Sequence, residues 1–97
     1  MDRQTDQQIV NLWGLEQGQF MTVAITGATG GGDCVLEFKN GSDANWSVDP
    51  TFNGTVTGGV LVQRVKCLSA HSRIRFLSDP AGTPYFISLV WDVVPKF

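Results

Sequence analysis

The chain has 97 residues, 42% of them hydrophobic and 16% charged, which indicates one globular domain over residues 1–97 and excludes a disordered chain. Its formal net charge of −2 predicts no whole-molecule attraction to nucleic acid or to an anionic membrane. No apolar run approaches the roughly 20 residues that cross a bilayer, so we expect neither a nucleic acid nor a membrane among its partners.

The N-terminal segment, residues 1–18, has the least regular pattern. Residues 1–8 are polar and lack an apolar core, so we expect no secretory leader and folding in a cytoplasm. Helical spacing occurs only in residues 7–13, which are compatible with a helical turn, a strand or an extended arm. We therefore predict an N-terminal arm or short helix over residues 1–18.

A strand-like run over residues 19–25 leads into a glycine-rich stretch at residues 27–32. Such a glycine turn holds a dinucleotide pyrophosphate when it opens a helix inside a βαβ unit. Here residues 34–38 alternate as a strand and run into a turn at residues 40–43, so no crossover helix follows. The stretch predicts a β–β connection, and we expect no nucleotide and no other cofactor.

Apolar residues recur at nearly every second position in the rest of the chain. Residues 34–39 and a short run through Trp46 and Val48 predict a hairpin. Further strands are predicted at residues 60–68, 73–77 and 85–93, separated by turns at residues 69–72 and 79–84. About seven short strands predict an all-β fold, a single antiparallel β-sandwich or small barrel.

Side chains able to do catalysis are few and scattered. Cys34 and Cys67 allow a disulfide between two packed sheets, but a reducing cytoplasm favours buried free thiols. The only histidine, His71, falls in a predicted turn, and no metal-ligand or nucleophile spacing is present. The carboxylates show no acid/base pair. We predict a protein that is not an enzyme and holds no metal.

The charge pattern in the second half of the chain favours a partner-binding surface. If residues 60–68 and 73–77 form a hairpin, four cations share one face and the apolar residues take the other. Like charges on paired strands repel unless an acidic partner compensates them, and the alternative is a solvated face with carboxylates such as Glu37 nearby. The four cations are Arg64, Lys66, Arg73 and Arg75.

The last predicted strand is apolar on both sides, which is typical of a strand buried on two faces. Because a two-layer sandwich normally exposes one face of each strand, we expect cover by the N-terminal segment or by another subunit. A homo-oligomer or an assembly contact is therefore predicted. The further partner-binding residues of this hypothesis are Val60, Val62, Trp13 and Trp91.

From Cys34 onward, the chain resembles small glycine- and threonine-rich β-sandwich proteins of tailed-phage virions. The resemblance lies in a strand with Val-Leu-Glu, an Asn-Gly turn followed by a tryptophan, a Gly-Gly loop and an I-R-F strand before a glycine-containing turn. The matching residues are Val35, Leu36, Glu37, Asn40, Gly41, Trp46, Gly58, Gly59, Ile74, Arg75, Phe76 and Gly82. The N-terminal third has no counterpart.

This resemblance implies a non-enzymatic virion structural protein, a decoration or cement protein that stabilises a phage capsid shell through subunit contacts. It implies a viral capsid or other virion protein as partner, and a location in the virion after assembly in the host cytoplasm. Contacts repeated by symmetry would sum to a large avidity. The alternative is a carbohydrate-binding module, possible on a phage appendage, with Trp46 stacking on a sugar and Asp43, Asn45 and Asp49 binding its hydroxyls.

Overall fold

A computed structural model describes residues 2–28, 32–41, 45–78 and 84–92. Within these ranges the chain forms eight β-strands and no helix, which confirms the all-β prediction. The strands are β1 (Asp2–Thr5), β2 (Ile9–Asn11), β3 (Phe20–Thr26), β4 (Cys34–Lys39), β5 (Ser47–Val48), β6 (Val60–Lys66), β7 (His71–Phe76) and β8 (Tyr85–Trp91). The described part of the chain contains no helix that is long and apolar enough to span a membrane.

The strands form two four-stranded antiparallel sheets that pack together as a sandwich. Sheet A has the order β1-β8-β3-β6, and sheet B has the order β2-β7-β4-β5. Consecutive strands lie in different sheets, except for β4 and β5, which pair directly as the predicted hairpin. This order of eight strands is that of a jelly roll, an architecture found in viral capsid proteins, lectins and cupins.

The period-two alternation of the sequence determines which side chains enter the space between the sheets. In β3, Met21, Val23 and Ile25 are fully buried, while the residues between them face outward. The other long strands alternate in the same way. At the centre of the core, the rings of Phe76 in sheet B and Tyr85 in sheet A meet edge to face, with centroids 5.1 Å apart.

The N-terminal segment belongs to both sheets. β1 pairs with β8 in sheet A, and β2 pairs with β7 in sheet B, so two short strands replace the predicted arm or short helix over residues 1–18. The Tyr85 hydroxyl donates a hydrogen bond to the Gln7 carbonyl at 2.7 Å between these strands. Val10 and Leu12 are buried as alternate residues of an extended chain, a spacing that so short a segment shares with a helical turn.

The glycine-rich stretch connects β3 of sheet A to β4 of sheet B, which is the β–β connection predicted from the sequence. Gly27 has a φ of +83°, a left-handed conformation that favours glycine. A strand begins at Cys34, where a dinucleotide site would have a helix. Residues 29–31 of this stretch lie outside the described residues, as do residues 42–44 and 79–83 of the predicted turns.

Both cysteines are buried free thiols, as predicted. Burial raises the pKa of the Cys34 thiol to about 12, and the negative charge of Asp33 adds to this shift. Burial also raises the pKa of the Cys67 thiol, although a hydrogen bond to the Ser69 carbonyl opposes the effect. Because the thiolate is the nucleophilic form, the fold keeps both sulfur atoms in an unreactive state.

Gly54 packs against the start of β4, and we expect Gly54→Ala to lower the free energy of unfolding by about 3 kcal/mol. The Gly54 carbonyl accepts a hydrogen bond from the Cys34 N–H at 2.9 Å, and a Cβ at position 54 would overlap the Cys34 carbonyl oxygen. Gly32→Ala is the control in urea denaturation, because its Cβ would meet the side chain of Ser78, with Oγ at 3.1 Å and Cβ at 3.5 Å, and not a backbone atom of the described chain. Equal losses in the two variants would contradict this account.

Alkaline pH should destabilise the fold, because folding holds a buried thiol and a buried phenol in their neutral forms. Burial raises the pKa of Tyr85 from 10.0 to about 12, as it raises that of Cys34 from 9.0 to about 12. Such groups stabilise the fold fully below their ordinary pKa, and the contribution is lost as the pH rises toward the folded-state value. Urea denaturation should therefore show the free energy of unfolding falling between pH 9.0 and about 12.

Cys34→Ala should make this alkaline fall shallower, since one of the shifted groups is removed. A free energy of unfolding that stays constant over the same pH range in the unaltered protein would contradict the prediction.

Candidate binding surfaces

The four cations predicted to form one stripe lie on opposite sides of the sandwich. β6 pairs with β3 in sheet A, while β7 pairs with β2 and β4 in sheet B, so the predicted hairpin between residues 60–68 and 73–77 is wrong. The chain beyond β6 stays with sheet A as far as Cys67, whose N–H donates to the Gln19 carbonyl at 2.9 Å, and then crosses to sheet B. Arg64 and Lys66 therefore face outward from sheet A, and Arg73 and Arg75 face outward from sheet B.

Carboxylates of the same chain compensate three of these cations. Nε of Arg64 donates to Oδ2 of Asp92 at 3.1 Å, and both groups are well exposed. Nε of Arg73 and Nε of Arg75 lie 2.8 Å and 3.2 Å from Oε1 of Glu37, a carboxylate in the neighbouring strand β4. On sheet B, Arg73 and Arg75 are therefore compensated by the nearby carboxylate Glu37, which was the alternative to an acidic partner.

The outer face of sheet A is largely apolar where β8, β3 and β6 lie side by side. The strand register places Phe86, Thr26 and Val60 in one row and Ser88, Ala24 and Val62 in the next. Small side chains of β3 thus separate larger apolar ones of β8 and β6. The exposed members are Phe20 (38%), Val60 (46%), Val62 (65%), Phe86 (49%) and Val90 (56%), and we call these five residues the apolar face.

The outward side of β8 is apolar, as the sequence indicates. Of the two covers expected for it, the N-terminal segment does not bury it. β1 lies beside β8 at the edge of the sheet and leaves Phe86 and Val90 about half exposed. Two tryptophans predicted to bind a partner, Trp13 and Trp91, are partly buried against the core. The Arg3 guanidinium also lies over the Trp13 ring, at 4.0 Å from its centroid. Both tryptophans therefore serve packing within the chain.

A cleft of about 290 Å³ opens on sheet B at the C-terminal end of β4. The register pairs Lys39 at the end of β4 with His71 at the start of β7, and Trp46 lies just before β5 on the other side of β4. Asn11 at the end of β2 contributes to the same wall. We call this depression, lined by Asn11, Lys39, Trp46 and His71, the Trp46 cleft.

Two cations lie over the indole of Trp46. The Arg73 guanidinium carbon is 4.0 Å from the ring centroid, and the Lys39 ammonium nitrogen is 5.0 Å from it. Distances of this size give favourable cation–π attraction. The guanidinium also occupies ring surface on which a sugar would stack, so less of the indole is open to a ligand than the sequence indicates.

The predicted sugar-binding set is not assembled around this ring. Asp49 is only 2% exposed, and its Oδ1 accepts hydrogen bonds from the N–H and hydroxyl of Thr51 at 2.9 and 2.7 Å. A carboxylate so buried stabilises its own turn and is not presented to a surface ligand. Asn45 is exposed next to Trp46, and Asp43 lies outside the described residues.

Sequence reasoning missed Lys39 and Asn11 and assigned His71 to a solvated turn. These residues come from separate parts of the chain, and the sheet pairing alone brings them to one place. In the described ranges no three His, Cys, Asp or Glu side chains group as a metal site would require.

Comparison with other proteins gives no family for this chain. No family model matches it, and no curated protein or solved structure is significantly similar. A function must therefore be argued from the chemistry of its own surfaces, since a fold by itself does not specify one.

Glu37→Gln should lower the free energy of unfolding by about 2 kcal/mol, because it removes the shared partner of two guanidinium groups at a poorly solvated position. The Glu37 side chain is 8% exposed, and that of Arg73 is 22% exposed. Asp92→Asn is the matched control, with an expected loss of about 0.5 kcal/mol or less for an exposed pair. Urea denaturation measures both, and a cost at Asp92 as large as that at Glu37 would refute the assignment.

Proposed function

We propose that this protein is a non-enzymatic structural protein of a virion, a decoration or cement protein that binds a capsid shell through protein–protein contacts. The apolar face of sheet A carries this proposal. Contiguous apolar surface on a soluble domain marks a place where another surface docks. No feature of the described chain covers it.

The form of the apolar face suits a protein partner. It lies on paired strands, with Thr22, Ala24 and Thr26 of β3 forming a low strip between the larger side chains of β8 and β6. Such a surface has no deep pocket for a small molecule but offers broad contact to another protein. Val62, at 65% exposure, is fractionally its most exposed member, and docking would remove this apolar side chain from water.

Basic groups rim one end of the apolar face. Lys66 pairs with Phe20 in the register, and the Arg64 guanidinium lies over the Phe20 ring at 4.1 Å from its centroid. An apolar centre with a charged rim is the usual composition of a protein interface. Because Arg64 is already paired with Asp92, Lys66 is the rim cation that has no ion pair among the described residues, and we infer a partner surface that is apolar at its centre and carries a carboxylate opposite Lys66.

The architecture and the resemblance support a virion role without deciding it. The jelly roll is used by capsid proteins, although lectins share it. The resemblance to phage β-sandwich proteins covers β4 to β8, which include β6 and β8, two of the three strands of the apolar face. Repeated docking on a symmetric shell would turn a modest contact into strong attachment.

The test uses empty heads assembled from the shell protein of the virus that carries this gene. The purified protein should sediment with the heads and saturate at a fixed ratio to shell subunits. Val62→Asp should weaken this binding by at least about tenfold, because a carboxylate is desolvated at the contact. Leu77→Asp is the control and should bind normally, since Leu77 is 56% exposed but lies beyond the end of β7, away from the apolar face.

Heads that bind no protein, or that bind the Val62→Asp variant as well as the original, would overturn the proposal. Light scattering on the free protein gives a second check. A stable oligomer that Val62→Asp dissociates would assign the apolar face to self-association instead.

A further inference from the structure

We propose that the Trp46 cleft is a second binding site, and that its ligand is a saccharide carrying a carboxylate, such as a uronate. The cleft lies on sheet B, on the side of the sandwich opposite the apolar face, so this inference does not depend on the proposed capsid contact.

Among the described residues, the outward side of β4 and β7 carries more cations than carboxylates, although the chain as a whole carries a net charge of −2. Lys39 lines the Trp46 cleft, and Arg73 and Arg75 continue the positive surface along β7. Glu37 is the one carboxylate that the described residues place among them, and it is shared by both arginines. Lys39 forms no ion pair with another described residue, and its ammonium nitrogen, 5.0 Å from the centroid of the Trp46 ring, is the group that would meet a ligand carboxylate.

The neutral groups of the cleft match hydroxyls. The Asn11 amide offers donors and an acceptor, and the exposed imidazole of His71 offers both kinds of group in its neutral form. The half-buried Trp46 indole adds an apolar edge against which the C–H groups of a sugar ring can pack. A uronate supplies a carboxylate, hydroxyls and an apolar C–H surface within one ring, whereas an acidic peptide would have to supply them from several residues, which favours the saccharide in so small a cleft.

The size of the cleft limits the ligand. Its 290 Å³ is at the lower end of the usual range of ligand pockets, about 300–1,000 Å³. This volume suits one sugar ring of a longer chain.

Ser69 holds the floor of the cleft rigid. Its hydroxyl donates a hydrogen bond to the Lys39 carbonyl and accepts one from the His71 N–H at 3.1 Å, which ties the end of β4 to the start of β7. Ser69 is itself 5% exposed. On the neighbouring row, the contact with Glu37 fixes the Arg73 guanidinium over the indole. A site built before the ligand arrives loses less conformational freedom on binding.

The experiment is a titration of the ¹⁵N-labelled full chain with trigalacturonate, followed by two-dimensional NMR. The indole N–H signal of Trp46, assigned through Trp46→Phe, should shift saturably, and neutral maltotriose should leave it in place. Lys39→Gln should weaken binding by about tenfold, the loss expected for one charge-assisted hydrogen bond. Lys66→Gln removes an exposed lysine from sheet A and should bind as the original does.

Other outcomes overturn the inference. Equal shifts with maltotriose would show that the carboxylate is not recognised, and shifts with tetraglutamate in the absence of shifts with trigalacturonate would assign the cleft to an acidic peptide. Equal shifts with sodium sulfate would reduce it to a non-specific anion site. The remaining amide signals report whether each variant is folded. If Lys39→Gln does not fold, His71→Gln provides a second variant that is expected to bind trigalacturonate more weakly.

The two proposals fail separately. Val62→Asp should lose binding to capsid heads and keep the response to trigalacturonate, while Lys39→Gln should behave in the opposite way.

Discussion

Burial of one side of every long strand is the constraint on which the rest of this molecule depends. The inward residues of β3, Met21, Val23 and Ile25, have no exposed surface, and the inward residues of the facing strands complete the same core. With no helix in the described chain to cover them, the outward sides of the sheets become the surface of the protein. Their composition then decides what the protein can bind.

The outward sides of the two sheets differ in composition. Sheet B carries arginines on β7, and the carboxylate that compensates them, Glu37, comes from the adjacent strand β4. This arrangement leaves the surface polar and places a fixed guanidinium beside Trp46. Sheet A has no such arrangement over most of its width, where valines and phenylalanines of β6, β3 and β8 face solvent. The functional contrast between the sheets therefore arises from outward positions alone.

The positions of the strands and most of the core could be predicted from the sequence, because alternation is a local signal. The inward side chains of β6 and β7, such as Val65 and Ile74, are buried as the pattern indicates. Pairing is not local. Residues 60–68 and 73–77 are separated by a turn short enough for a hairpin, and sequential strands usually neighbour each other. The alternation does not reveal that the chain crosses from one sheet to the other between them.

The same limit explains why the apolar face and the Trp46 cleft were only partly predicted. The outward position of Val60 and Val62 could be predicted because alternation along one strand reveals it directly. The Trp46 cleft needs residues of β2, β4 and β7 to be neighbours, and that information exists only once the strand order is known. Asp49 shows the opposite error, since a polar residue near a tryptophan in sequence is buried in its own turn.

The back-to-back placement of the sheets gives the molecule a built-in direction. Sheets in such a sandwich pack about 10 Å apart, so any surface that docks on the valines and phenylalanines of sheet A leaves sheet B, with the Trp46 cleft, on the opposite side and facing the medium. The direction of the docked molecule is then set by the body itself. Every copy docked in this way would turn its Lys39 and Arg73 side outward.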